Sequence, residues 1–108
     1  MPRPALQLVL TTCPDADTAE RIAETLVGEH LAACVNILPI AKSVYRWQGK
    51  VESAAELLLI IKAPVRGYRA LQRRLLELHP YELPEVVSVP IVGGFADYLT
   101  WINNPEKS

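Results

Sequence analysis

Several features that would narrow the function are absent from this 108-residue sequence or scarce in it. With only two cysteines, Cys13 and Cys34, the chain offers no disulfide framework, and we interpret both as free thiols of a reducing compartment. No apolar run approaches the roughly 18 residues that span a bilayer, and the first residues do not show the pattern of a secretory signal. We therefore expect no membrane partner and a cytoplasmic location.

Neither positive nor negative charge predominates, since 11 basic and 12 acidic side chains leave a formal net charge of -1. Such a chain has no overall field that would attract nucleic acid. Arg66, Arg69, Arg73 and Arg74 do cluster on one predicted helix. Glu77 lies beside them and no aromatic platform accompanies them, which favours a solvated helix face. We predict no nucleic-acid partner.

The sequence contains no phosphate-binding loop, no dinucleotide fingerprint and no metallopeptidase helix. It also lacks a nucleophile and base pair with an evident orienting group. Catalytic groups can still converge in space from distant positions. On balance the sequence predicts a protein that is not an enzyme.

What the sequence does contain is apolar residues, which make up 50% of the chain and predict a single domain over residues 1–108. Hydrophobic periodicity predicts strands at residues 6–12, 31–38, 51–62 and 86–92, and helices at 17–30, 68–78 and around 98–102. Asp17 and Glu20 resemble a capping box, Pro39 is expected to interrupt the second strand, and Gln48-Gly49 suits a hairpin tip. Pro90 suggests that the last strand lies at a sheet edge. This order predicts an α+β, ferredoxin-like split β-α-β sandwich with an antiparallel sheet, a long hairpin arm and a short C-terminal helix.

Residues 57–61, Leu-Leu-Leu-Ile-Ile, are apolar without the alternation expected of a strand that has one wet face. Both faces of this strand should therefore be buried, and the chain has no spare element to cover the second face. We expect further subunits to cover it, the alternative being a monomer whose C-terminal helix does so. Tyr45, Trp47, Tyr98 and Trp101 could line a pocket, although packing at a subunit boundary is the interpretation we favour.

The segment His79-Pro80-Tyr81-Glu82-Leu83-Pro84-Glu85 holds His79 and Glu85 between two restraining prolines. With Cys13 these side chains offer nitrogen, oxygen and sulfur donors that are compatible with copper or zinc. By spacing alone we favour the other interpretation, in which His79 is a polar helix end, Glu85 a surface acid and Cys13 a turn residue. Cys34 is interpreted as a small buried core residue.

Five ordered motifs carry a resemblance to a known family. They are Thr-Cys-Pro-Asp at 12–15, Leu-Ala-Ala-Cys-Val-Asn at 31–36, Tyr-Arg-Trp-Gln-Gly-Lys at 45–50, Ile-Lys at 61–62 and His-Pro-Tyr at 79–81. From about Leu8 to Ile102 the chain resembles the CutA family of divalent-cation tolerance proteins. The resemblance implies a compact homotrimer in which hairpin arms and last strands pair across subunits.

The resemblance also implies metal sites, for copper and other divalent ions, in clefts between subunits. The matching ligands are His79 and Glu85, with Cys13 as a sulfur donor, and Cu(II) is the metal we expect without its being obligatory. The pattern departs at one point, because some members carry the cysteine at the position of Thr11. The residues expected to line the clefts are Tyr45, Trp47, Lys62, Tyr81, Tyr98 and Trp101. An alternative is a small-molecule sensor or interaction scaffold similar to the trimeric PII-like signalling proteins.

Overall fold

A computed structural model describes residues 5–107 of the chain, and for Ile40 and Lys107 it describes the backbone alone. These residues form four strands, β1 (Leu6–Cys13), β2 (Cys34–Trp47), β3 (Lys50–Pro64) and β4 (Val87–Pro90). They also form the helices α1 (Ala16–Gly28), α2 (Tyr68–Leu78) and α3 (Ala96–Asn103), with short 3-10 turns at Val65–Gly67 and Pro105–Lys107. The strands make one antiparallel sheet in the order β2-β3-β1-β4. The predicted ferredoxin-like α+β plan is therefore confirmed.

The hydrophobic core lies between one face of this sheet and helices α1 and α2. Alternate residues of β1, β2 and β3 point into it, and the helices contribute residues spaced three or four apart. Its fully buried members include Val9, Cys13, Leu59 and Ile61 from the strands and Ile22, Leu26, Leu71 and Leu75 from the helices. Each large apolar side chain buried there contributes about 1.5–3 kcal/mol. In the described range 5–107, no helix is long and apolar enough to cross a membrane.

Helix α1 begins earlier than predicted, because its N-cap is Asp15 and not Asp17. The Asp15 backbone is extended, and its Oδ1 accepts a hydrogen bond of 2.8 Å from the backbone N–H of Thr18. The same N–H group lowers the pKa of the Asp15 carboxyl below its ordinary value. The helix also ends before His30, which has a left-handed φ of 62°. The predicted capping box at Asp17 was therefore wrong.

Strand β2 continues beyond the predicted end at Leu38 to Trp47, and Pro39 interrupts its pairing with β3 as predicted. A register shift between Leu38 and Ala41 accommodates the proline, and β2 is an edge strand, where a missing N–H donor is tolerated. The turn at Gln48 and Gly49 has φ values of 50° and 81°, which confirms the predicted hairpin tip. Since β1 pairs with β3 only from Leu57 onward, the arm projects beyond the sheet as a two-stranded ribbon.

The second face of the sheet is apolar and only partly covered within the chain. Leu58 and Ile60 of β3 are half-buried there, and β4 adds Val87 and Val89, which are 48% and 43% exposed. Helix α3 covers one end, where Ile102 packs in a small cluster with Leu6 and Ala33. The predicted apolar second face therefore exists, and α3 leaves most of it open. Strand β4 is shorter than predicted, and as an edge strand that ends at Pro90 it confirms the expectation for that proline.

Cys34 is not a core residue, which corrects the sequence interpretation. It is half-exposed at the start of β2 and lies directly across from Lys62 of β3. Its register therefore places it on the open face with Lys62, away from the helices. The thiol Sγ lies 4.0 Å from Oδ1 of Asn36. A position at the edge strand and on the wet face explains its exposure.

Candidate functional site

A cavity of about 600 Å³ lies beside the hairpin arm, close to the end of β1. One wall is a single face of the arm, because Tyr45 pairs with Glu52 and Ala41 pairs with Glu56 in the β2–β3 register. The other wall is the segment 81–85 that follows α2. The side chains and backbone that line the cavity belong to Thr12, Ser43, Tyr45, Arg46, Trp47, Glu52, Ala54, Glu56, Tyr81, Glu82, Leu83, Pro84 and Glu85.

A buried hydrogen bond joins the two walls. The hydroxyl of Tyr81 donates to Oε2 of Glu56 over 2.7 Å, and Glu56 is only 7% exposed. Burial first, and then the Glu56 carboxylate, raise the pKa of the Tyr81 hydroxyl well above its ordinary value. Within residues 5–107 no basic side chain forms an ion pair with Glu56. Tyr81 therefore supplies the one hydrogen bond described for this buried carboxylate.

His79 uses both ring nitrogens to hold the second wall in place. Its Nε2 lies 2.7 Å from the carbonyl oxygen of Thr12, and its Nδ1 accepts a hydrogen bond of 3.2 Å from the Tyr81 backbone N–H. Because Nδ1 accepts, the ring proton must be on Nε2, which donates to Thr12. The ring also contacts that of Tyr81, with centroids 4.8 Å apart. His79 thus positions Tyr81 against Glu56.

Cys13 and Glu85 lie in opposite environments. Cys13 is fully buried, and burial, followed by the charges of Asp15 and Glu56, raises the pKa of its thiol from 9.0 to about 11. A cysteine binds metal as the thiolate, so this environment disfavours the ligand form at neutral pH. Glu85 is exposed and lines the cavity.

The three predicted ligands are not assembled into a metal centre within one subunit. Cys13 is enclosed in the core, and both nitrogens of His79 have hydrogen-bond partners. In the described part of the chain, no group of three or more His, Cys, Asp or Glu side chains could hold a metal ion. Among the three predicted ligands, Glu85 is the one that lines this cavity. The ligand set remains a prediction for an assembled cleft.

The residues predicted to line a cleft fall into two separate groups. Tyr45, Trp47 and Tyr81 line the cavity beside the arm. Lys62, Tyr98 and Trp101 cluster at the other end of the molecule, where α3 meets the open face of the sheet. There the Lys62 ammonium donates to the Tyr98 hydroxyl over 3.2 Å, and Tyr98 stacks on Trp101 with centroids 5.6 Å apart. The two groups do not share a single pocket.

Sequence reasoning missed three carboxylates of the cavity, those of Glu52, Glu56 and Glu82. The signal for two of them was present. Glu52 and Glu56 are four residues apart in a strand, so they share one face with each other and with Tyr45 on the paired strand. Glu82 lies in the segment of residues 79–85, between His79 and Glu85. Its proximity to the arm depends on the loop path, which has no local signature.

Comparison with known proteins identifies the family. A model of the CutA1 divalent ion tolerance protein family matches residues 7–105. The divalent-cation tolerance protein CutA of Thermus thermophilus is 47% identical over 96 residues, covering 89% of this chain and 93% of that protein. Among solved structures, CutA from Xylella fastidiosa has 49% identity and a TM-score of 0.87, with 90% of this chain and 93% of that chain covered. The periplasmic divalent cation tolerance protein CutA from Archaeoglobus fulgidus has 36% identity and a TM-score of 0.87, with 90% and 94% covered. The chain therefore belongs to the CutA1 divalent ion tolerance protein family.

Proposed function

We propose that this protein is a cytoplasmic, non-enzymatic homotrimer that binds divalent cations, copper foremost, in clefts between its subunits. The single observation that carries the proposal is the open apolar face of the sheet. Exposing a few hundred Å² of such a face costs several kcal/mol at about 25 cal/mol per Å². Val87 and Val89 lie on this face at the sheet edge, so a neighbouring subunit that covered them could extend the sheet as well.

The projecting arm supports the same assembly. A two-stranded ribbon is marginally stable by itself and gains from pairing with another chain. Val44 and Val51 on the arm are 67% and 69% exposed, which leaves apolar surface for such a contact. An arm that reaches a neighbour would also place the acidic cavity beside the subunit boundary. Shared clefts would then carry the carboxylates that bind cations.

Oxygen is the donor atom that this site offers most readily to a metal. Glu85 faces the cavity as it stands, whereas His79 would have to give up its bond to Thr12 or to Tyr81. Cys13 would have to leave the core and lose its proton. Carboxylate and imidazole donors suit Cu(II) better than soft Cu(I), which prefers sulfur. We therefore propose Glu85 and His79 as the metal ligands, with Cys13 as the member of the set that the geometry supports least.

Light scattering and calorimetry test this proposal together. We expect a particle of about three times the subunit mass of 12.0 kDa. We expect Glu85→Gln and His79→Ala each to weaken Cu(II) binding at least about fivefold. Glu20→Gln is the matched control, because Glu20 is exposed on α1 and lies outside the cavity. A stable 12.0 kDa species at micromolar concentration would remove the clefts, and equal affinity in all variants would reject the ligand assignment.

A second candidate function is that of a trimeric small-molecule sensor, which the size of the cavity favours. Its volume of about 600 Å³ lies within the range of small-molecule sites, which is about 300–1,000 Å³. A metabolite that binds the folded state should raise the melting temperature without added metal. A screen by thermal shift in the presence of a chelator therefore separates this function from metal binding.

A further inference from the structure

The cavity beside the arm concentrates negative charge in a chain whose overall charge is close to neutral. Four carboxylates line it, those of Glu52, Glu56, Glu82 and Glu85, against one guanidinium, that of Arg46, among the described residues. The formal charge of the whole chain is only -1. Concave walls of low dielectric constant focus the field of such groups. The cavity therefore favours a cation and disfavours an anion.

Glu56 places one of these charges where water cannot fully solvate it. The residue is only 7% exposed, and its Oε2 accepts a hydrogen bond from the Tyr81 hydroxyl. No residue between 5 and 107 donates a hydrogen bond to Oε1 or forms an ion pair with this side chain, and Oε1 is not among the fully buried unsatisfied atoms, so it remains accessible to water or a ligand. A buried carboxylate is costly unless a cation or further donors satisfy it. The protein supplies one hydrogen-bond donor to the Glu56 carboxylate, and a ligand can supply further donors or a positive charge.

The remaining walls are aromatic and apolar. Tyr45, Trp47 and Tyr81 line the cavity together with Leu83 and Pro84. An aromatic face attracts a desolvated cation, and indole does so most strongly among the side chains. Carboxylates surrounded by aromatic rings thus suit a molecule that combines a positive group with an apolar body.

From these features we propose that the cavity binds an organic cation, an ammonium or guanidinium group attached to an apolar body, with its charged end against Glu56 and Tyr81. A bare divalent ion needs several oxygen ligands at about 2.0–2.6 Å. Within one subunit the described side chains offer no such group of three, so the carboxylates there are spread around the cavity and a divalent ion would need ligands from a second subunit. Spread carboxylates match separate N–H donors of an organic cation.

This inference deepens the small-molecule function proposed second above and rests on it, and it does not depend on metal binding. The same chemistry has two sources. One is a free amine or guanidine, and the other is the lysine or arginine side chain of a second copy of this chain. Both present N–H donors and positive charge to Glu56, and experiments on the intact protein distinguish them.

Calorimetry on the full-length protein in the presence of EDTA tests the free ligand. The probes are phenethylammonium, agmatine and, as the uncharged control, phenethyl alcohol. We expect saturable binding of a cation and none of the alcohol. Glu56→Gln should weaken binding of the cation at least about tenfold, and Glu20→Gln on α1 should leave its affinity unchanged. Should Glu56→Gln fail to fold, Trp47→Leu on the arm serves instead, with an expected loss of about threefold or more.

Measuring the oligomeric state tests the second source, a lysine or arginine side chain of a neighbouring copy. If a neighbouring copy fills the cavity, the probes do not bind, and Glu56→Gln dissociates the oligomer in light scattering while Glu20→Gln does not. Absence of probe binding together with an unchanged assembly of Glu56→Gln overturns the inference. Binding of the alcohol as tightly as the ammonium also overturns it, although the cavity would then remain a small-molecule site.

Discussion

The buried thiol of Cys13 should make the protein lose stability in mild alkali. Its pKa is raised from 9.0 to about 11, so the unfolded chain releases this proton first as the pH increases. The stabilisation is complete below pH 9.0 and is lost as the pH rises through the folded value. Two pKa units correspond to about 2.7 kcal/mol at most, and about 1.4 kcal/mol of it should be gone by about pH 10.

The assay is urea unfolding of the wild type and Cys13→Ala between about pH 8 and pH 10, at one protein concentration because subunit association contributes to stability. Removing the buried sulfur should cost about 1 kcal/mol at neutral pH, and this cost should shrink as the pH rises. The window stops near pH 10 because Tyr81, whose pKa is also raised, begins to contribute above its ordinary value of 10.0. Parallel pH profiles for the two proteins would refute the reasoning.

Two smaller predictions concern the first strand and the first helix. The hydroxyl of Thr11 is fully buried and has no hydrogen-bond partner among the described residues, so Thr11→Val should raise the free energy of unfolding by about 1 kcal/mol in urea titrations. A decrease would indicate that the hydroxyl is satisfied. Asp15→Ala should lower the melting temperature by a few degrees, because it removes the N-cap, whereas Asp17→Ala should change it less. Equal effects would contradict the assignment of the cap to Asp15.

The parts of the fold that follow from local pattern could be predicted from the sequence. Helix α2 occupies the predicted residues, since its apolar stripe is regular and Pro80 prevents continuation. The turn at Gln48 and Gly49 was predictable because glycine accepts the positive φ that a tight hairpin turn requires. The apolar run at residues 57–61 correctly indicated a sheet with two apolar faces. In each case residues close in the chain determine the outcome.

The errors came from positions whose state depends on distant parts of the chain. Strand β2 continues past the predicted end at Leu38 because it lies at the sheet edge, where Pro39 is tolerated, and strand order is not visible in a local pattern. Cys34 is small and flanked by apolar residues, so it resembled a core residue, yet its register with Lys62 places it on the open face. Asp17 fits the capping-box pattern because Glu20 follows three residues later, yet Asp15 accepts the capping hydrogen bond from the backbone N–H of Thr18.

The candidate site shows the same division between local pattern and tertiary geometry. His79 and Cys13 attracted attention as metal ligands because their side chains are chemically versatile. In the fold, Cys13 packs in the core and His79 bonds to Thr12 and Tyr81, so both help to shape the cavity without facing it. The negative charge of the cavity comes from four glutamates. Glu56 matters most among them, because a carboxylate that is buried without a cationic partner is energetically unfavourable. For an organic cation, substituting His79 should therefore weaken binding through the position of Tyr81, whereas substituting Glu56 should remove the charge that attracts the cation. Coordination of a metal by His79 in an assembled cleft is a separate prediction, which the Cu(II) titration tests.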